Sequence, residues 1–163
     1  MTEPLIRSPA TDANGRLGLG LHLVERMLEI CETADCDSAP VFGERMTDGA
    51  VTRLRHWPDR VWHVAETGDD LPEGTDIGHG IAVLCLRGPG ALRFLADYCT
   101  ADLRSAAIRR SGTVRTRLGQ YTVLMWWNLT RDIHIATERS HAQSLADHLR
   151  ALANRREPHE HLD

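Results

Sequence analysis

The chain contains no lysine, and none of its apolar runs approaches the ~20 residues that a membrane-spanning helix requires. Residues 1 to 7 lack the apolar core of a signal region, so the expectation is a cytoplasmic protein with no membrane contact. Four cysteines in 163 residues do not make a disulfide scaffold, and in the cytosol they stay reduced. The net charge of −4 and a pI near 6.1 argue against nucleic acid as a partner. All 19 basic side chains are arginine, which reads as a coding bias, because lysine and arginine serve equally well on a solvated surface. Arg104, Arg109, Arg110, Arg115 and Arg117 crowd one stretch; a solvated hairpin rim or a protein interface accounts for them better than polyanion binding. A dinucleotide fingerprint is also missing, since Gly18-Leu19-Gly20 has no third glycine and no strand before it.

What is present is clearest in the second half. Residues 81 to 86 are an apolar run of strand length. Gly88-Pro89 stops it and suits a helix start, because proline lacks only an N–H that the first turn leaves unpaired. In the helix expected over 89 to 98, Ala91, Phe94, Leu95 and Tyr98 share a face. Strands over 114 to 118 and 121 to 127 flank Gly119-Gln120, where glycine in the first central place suits a type II′ hairpin turn. The second of these strands is apolar almost throughout, so it is central or its second face meets a partner. A third strand covers 133 to 137. Ser140 with Gln143 is a capping-box pattern ahead of Ala142, Leu145, Ala146, Leu149, Leu152 and Ala153 on one helical face. The order βαβββα predicts an α+β class with a ferredoxin-like C-terminal half and a smaller α/β N-terminal half.

The first half is less regular. Leu17, Leu21, Val24, Met27, Leu28 and Cys31 share a helical face and predict a helix over 21 to 31, although Leu17, Leu19, Leu21 and Leu23 equally suit a short strand. Residues 32 to 49 read as a polar loop, 51 to 57 and 61 to 66 as strands about the turn Pro58-Asp59, and 67 to 75 as a solvated linker. The plan is thus an N-terminal segment (1–49), a strand pair with linker (50–75), the ferredoxin-like subdomain (76–155) and a frayed tail (156–163).

No group has the spacing of a catalytic motif. His79 follows Asp76 by three on a strand entry, which does not aim the two side chains at each other and favours a structural hydrogen bond. Cys99 follows a helix C-terminus, which gives its thiol no help in ionising, and Asp102 suits a turn. Cys85 is a small core residue. Cys31 and Cys36 fit a metal loop only if a second ligand pair follows, and none does. His159-Glu160-His161 reads as a frayed end. The expectation is no catalytic, cofactor or metal residue in this chain. Trp57, Trp62, Trp126 and Trp127 stand out beside only two tyrosines and two phenylalanines. Neighbours on a strand, Trp126 and Trp127 point to opposite faces, so they fill two cores or one of them anchors a subunit interface. All four are taken as interface candidates.

The run Asp76-Ile77-Gly78-His79-Gly80, the strand to Leu86, Arg87-Gly88-Pro89-Gly90-Ala91 and Cys99-Thr100-Ala101-Asp102-Leu103 resembles the gamma subunit of heterotetrameric sarcosine oxidase. There a "D-x-S-H" strand leads to "L-x-G-P-x-A", a helix and "C-x-x-D-L". Arg117-Leu118-Gly119-Gln120 and Arg139-Ser140 are similar to that family's hairpin and last helix start, and Arg7-Ser8-Pro9 to its N-terminal "R-S-P-L". The match runs over residues 50 to 155, while 11 to 49 do not align. The resemblance implies a reduced aminomethyltransferase-like folate-binding fold and a non-catalytic accessory role. It also implies larger partner subunits that carry FAD, FMN, NAD and tetrahydrofolate. Two rivals belong to other classes: a stand-alone tetrahydrofolate-dependent one-carbon transfer protein, and a small-molecule-binding ferredoxin-like module in which Gly88-Pro89-Gly90 is a ligand loop.

Overall fold

The computed structural model describes residues 15–128 and 132–156. A hairpin of β1 (Gly15–Gly18) and β2 (Leu21–Arg26) opens the chain, followed by β3 (Glu29–Thr33), β4 (Arg45–Asp48), β5 (Val51–Trp57), β6 (Arg60–Ala65) and the short β7 (Thr75–Asp76). Then come β8 (Ile81–Arg87), helices α1 (Ala91–Ala96) and α2 (Ala106–Ser111), strands β9 (Thr113–Leu118), β10 (Tyr121–Trp127) and β11 (Asp132–Glu138), and helix α3 (Ala142–Arg156). The strands form two antiparallel sheets, one ordered β1-β2-β8-β11-β10-β9 and the other β4-β5-β6-β3-β7.

The six-stranded sheet is the middle layer. Along β10, Val123, Met125 and Trp127 join the core beneath the helices, with Phe94 and Leu95 of α1 and Leu145 and Leu149 of α3. Leu124 and Trp126 turn the other way, into a second core with Leu28 from the β2–β3 connection and Ile30, Leu54, Trp62 and Val64 of the five-stranded sheet. Both faces of β10 are therefore covered within the chain, which is why its sequence does not alternate. Each fully buried leucine or isoleucine here contributes roughly 1.5–3 kcal/mol relative to exposure.

The strands expected in the second half, and those near 51 to 57 and 61 to 66, lie within a residue or two of their expected limits. Other expectations are corrected. The helix over 21 to 31 is two strands: Leu21 and Leu23 face the helix-side core, whereas Leu28 and Ile30 face the inter-sheet core. Two alternating runs offset by the crossing at Met27 imitate helical spacing. The loop over 32 to 49 contains β4, and β1 and β2 extend the sheet of the C-terminal half, so the six-stranded sheet joins two separate sequence segments, whereas the five-stranded sheet comes from residues 29 to 76 alone.

The ferredoxin-like detail also changes. In that arrangement the strands on either side of the first helix are parallel. Here β8 pairs with β11, β11 with β10 and β10 with β9, all antiparallel, so β8 and β9 run in opposite directions at opposite ends of this four-strand set. An additional helix, α2, stands between them; Ser105 caps it by accepting the Ile108 N–H at 3.3 Å. Pro89 precedes α1 instead of occupying its first turn, because Gly90, with φ of 78°, is the cap residue. A 3-10 turn over Arg139–His141 leads into α3, so Ser140 lies inside the turn and not in front of the helix. The Gly119-Gln120 turn has the expected form, with positive φ at Gly119 (61°) and not at Gln120.

Candidate functional site

Trp62, Trp126 and Trp127 are 8%, 4% and 8% exposed, so three of the four candidate anchors are core residues of the isolated chain. Trp126 stacks on His134 with ring centroids 5.1 Å apart and planes 8° from parallel. Trp62 donates its indole N–H to Glu32 at 3.0 Å and stacks on Trp57 at 4.8 Å. Trp57 alone is only half-buried; the Arg115 guanidinium lies over its ring at 5.2 Å. The outward surface that four tryptophans were expected to build is thus limited to one edge at Trp57 and Arg115.

Exposed apolar side chains are found elsewhere. Val41, Phe42 and Met46 are 67%, 59% and 41% exposed, all on the approach to β4 or within it. As the outermost strand of its sheet, β4 has one side without a strand neighbour among the described residues. Backbone groups left open along an edge strand, beside exposed apolar side chains, are what a second chain can cover.

The chemically active candidates occupy structural positions. Asp76 accepts the Gly78 N–H at 2.8 Å, closing an Asx turn, while its other oxygen lies 3.6 Å from His79 Nε2, beyond good hydrogen-bond range. Asp102 accepts the Arg104 N–H at 3.0 Å, as a turn-forming aspartate does. Burial pushes the Cys99 thiol up to about 11. Burial, then the charges of Asp76 and Glu32, push Cys31 up as well, and Cys85 is raised chiefly by burial. All three thiols are held protonated at neutral pH and make poor nucleophiles. Cys31 points toward the Pro72 carbonyl and Cys36 toward that of Pro58. Among the described residues no group of three or more potential ligands surrounds a metal position. His159, Glu160 and His161 lie outside the described residues.

The motif residue Arg139 is positioned by more contacts than its sequence context suggested. It pairs with Glu25 at 2.9 Å, donates to the Ile81 carbonyl at 3.0 Å, and its N–H reaches the Gly80 carbonyl at 2.8 Å. The Glu25 carboxylate is fully buried, so this pair fastens β2, the start of β8 and the entry to α3. The arginine-rich stretch is divided: Arg115 covers Trp57, whereas Arg104 and Arg109 lie across the sheet beside α1.

No protein-family model and no curated protein matches the sequence. Among solved structures, the fold is similar to a chain of "Heterotetrameric Sarcosine Oxidase from Corynebacterium sp. U-96 in complex with pyrrole 2-carboxylate". The TM-score is 0.68 at 19% identity, over 83% of this chain and 84% of the other. Among the described residues, no helix is long and apolar enough to cross a membrane.

Proposed function

We infer that this chain is an accessory, gamma-like subunit of a flavin- and folate-dependent sarcosine oxidase or a related N-methyl amine oxidising complex. The observation that carries the reading is reciprocal coverage: 83% of this chain corresponds to 84% of a chain from a heteromeric oxidase. The sequence resemblance, over residues 50 to 155, points to the same family by a separate route. In this reading FAD, FMN, NAD and tetrahydrofolate belong to larger cytoplasmic partner subunits, and this chain helps to hold those partners together. The protonated thiols and the turn-forming carboxylates support a structural role over a catalytic one. Val41, Phe42 and Met46 beside the edge of β4 supply the contact surface, with Trp57 as a lesser contributor.

Titrating the purified chain with tetrahydrofolate separates this reading from a stand-alone one-carbon enzyme. The accessory role predicts no turnover of a methyl or methylene donor by the chain alone. Tight binding accompanied by turnover would overturn it.

A further inference from the structure

At the end of the middle sheet where β8 and β10 stop and β11 begins, the chain encloses a cleft of about 500 Å³ that none of the preceding roles uses. Its floor is Trp127 and Ile133, which face each other across the β10–β11 pair. Leu103 and the short side of α1, with Ala91 and Ala96, form the walls, and Gly88 and Gly90 line the near end. Small residues at these places leave a slot beside a broad indole, which suits a flat apolar body. The volume falls within the range of roughly 300–1,000 Å³ usual for small-molecule sites.

The charge around the slot is of one sign. Arg93, Arg104 and Arg109 line it, and among the described residues no lining side chain is acidic. Arg104 is already engaged by Asp97, which also holds Arg156. Arg93 and Arg109 have no carboxylate partner among the described residues, and both are exposed. Two uncommitted guanidinium groups at the mouth of an apolar slot offer forked donors to an acidic head group.

We propose that this cleft binds a small organic anion, a carboxylate carried on a planar apolar body, with the ring against Trp127 and the acid at Arg93 and Arg109. The Gly88-Pro89-Gly90 segment then both starts α1 and bounds the ligand slot. Charge sets the specificity, so a neutral molecule of the same shape is a poor ligand.

The test uses two dyes with one body: 8-anilinonaphthalene-1-sulfonate, which is anionic, and N-phenyl-1-naphthylamine, which lacks the acid. Fluorescence titration of the full chain is expected to give one saturable site for the anionic dye and binding of the neutral dye weaker by roughly tenfold or more. The double variant R93E/R109E is expected to lose the anionic site by at least a similar factor while the neutral dye is unaffected. R93Q/R109Q gives the same direction if charge reversal disturbs folding. Met27→Ser, which removes an exposed apolar group outside both the cleft and the β4 surface, is expected to leave the titration unchanged. Equal affinity for the two dyes, unchanged binding in both arginine double variants, or loss of the site on Met27→Ser would each overturn the proposal. Displacement by a partner protein but not by 2-naphthoate would assign the cleft to a protein segment and overturn it too.

Discussion

Gly88 presses against the backbone of Gly20: a Cβ placed on Gly88 would stand 2.5 Å from the Gly20 carbonyl oxygen. The joint between β8 and α1 is thereby closed by the β1–β2 turn. Gly88 also has φ of 128°, a conformation that side chains rarely adopt. Gly88→Ala is expected to destabilise the fold by about 2 kcal/mol or more, combining backbone strain with the collision. Pro89→Ala, outside the helix, is expected to cost under about 1 kcal/mol. Denaturant midpoints of the two variants check the difference, and a neutral Gly88→Ala would contradict the account of this joint.

The joint shows how far sequence reasoning reached. Leu84 and Leu86, and Val123 and Met125, lie in largely apolar strands bounded by glycine or a hairpin turn, and Ile133 and Ile135 alternate with polar neighbours, so their elements were legible. Leu21 and Leu23 belong to a different core from Leu28 and Ile30, and only a tertiary crossing tells two short strands from one helical stripe. Helix α2 is absent from the sequence reading because Ala106-Ala107-Ile108-Arg109-Arg110-Ser111 buries no residue and has no apolar period. Trp126 and Trp127 were rightly placed on opposite faces. That both faces are covered by this chain depends on the second sheet, which the residues of β10 do not encode.

Arg139 compensates a carboxylate that has no access to water. Arg139→Leu removes the guanidinium paired with the buried Glu25 carboxylate and is expected to cost roughly 3 kcal/mol. The double variant with Glu25→Leu is expected to recover much of that loss. Thermal and denaturant melts of the set check it. Purely additive losses would show that the pair is not coupled.

His56 gives the fold a defined acid response. Thr113 donates to the Met125 carbonyl at 2.8 Å, so its oxygen accepts from His56 Nε2–H at 2.8 Å. Burial first, and the nearby Arg115 charge second, lower the imidazole pKa from 6.5 to about 4. Between those values the unfolded chain takes up a proton that the folded chain refuses. This contribution is therefore complete above pH 6.5 and declines as pH falls toward 4, by up to roughly 3 kcal/mol. Stability measured against pH is expected to lose most of that slope in His56→Gln. An identical slope would assign the acid response to other groups.

Substitutions at Trp126 and Phe42 should separate folding from association. Trp126→Ala opens the core between the sheets and is expected to cost about 3–5 kcal/mol of stability. Phe42→Ser, on an exposed side chain, is expected to change stability by less than about 0.5 kcal/mol while weakening partner binding by ~2 kcal/mol. Melting curves and binding isotherms read the two effects apart. Weakened association from Trp126→Ala at unchanged stability would return the interface to the tryptophans.

The most direct measurement is isolation of the tagged chain from its native cell at low ionic strength, with an absorbance spectrum and mass spectrum of what accompanies it. The accessory-subunit account predicts a stoichiometric assembly with a larger protein that shows flavin absorbance and oxidises an N-methyl amine. Recovery of the chain as a monomer, with no flavin protein in fixed ratio to it, would contradict that account.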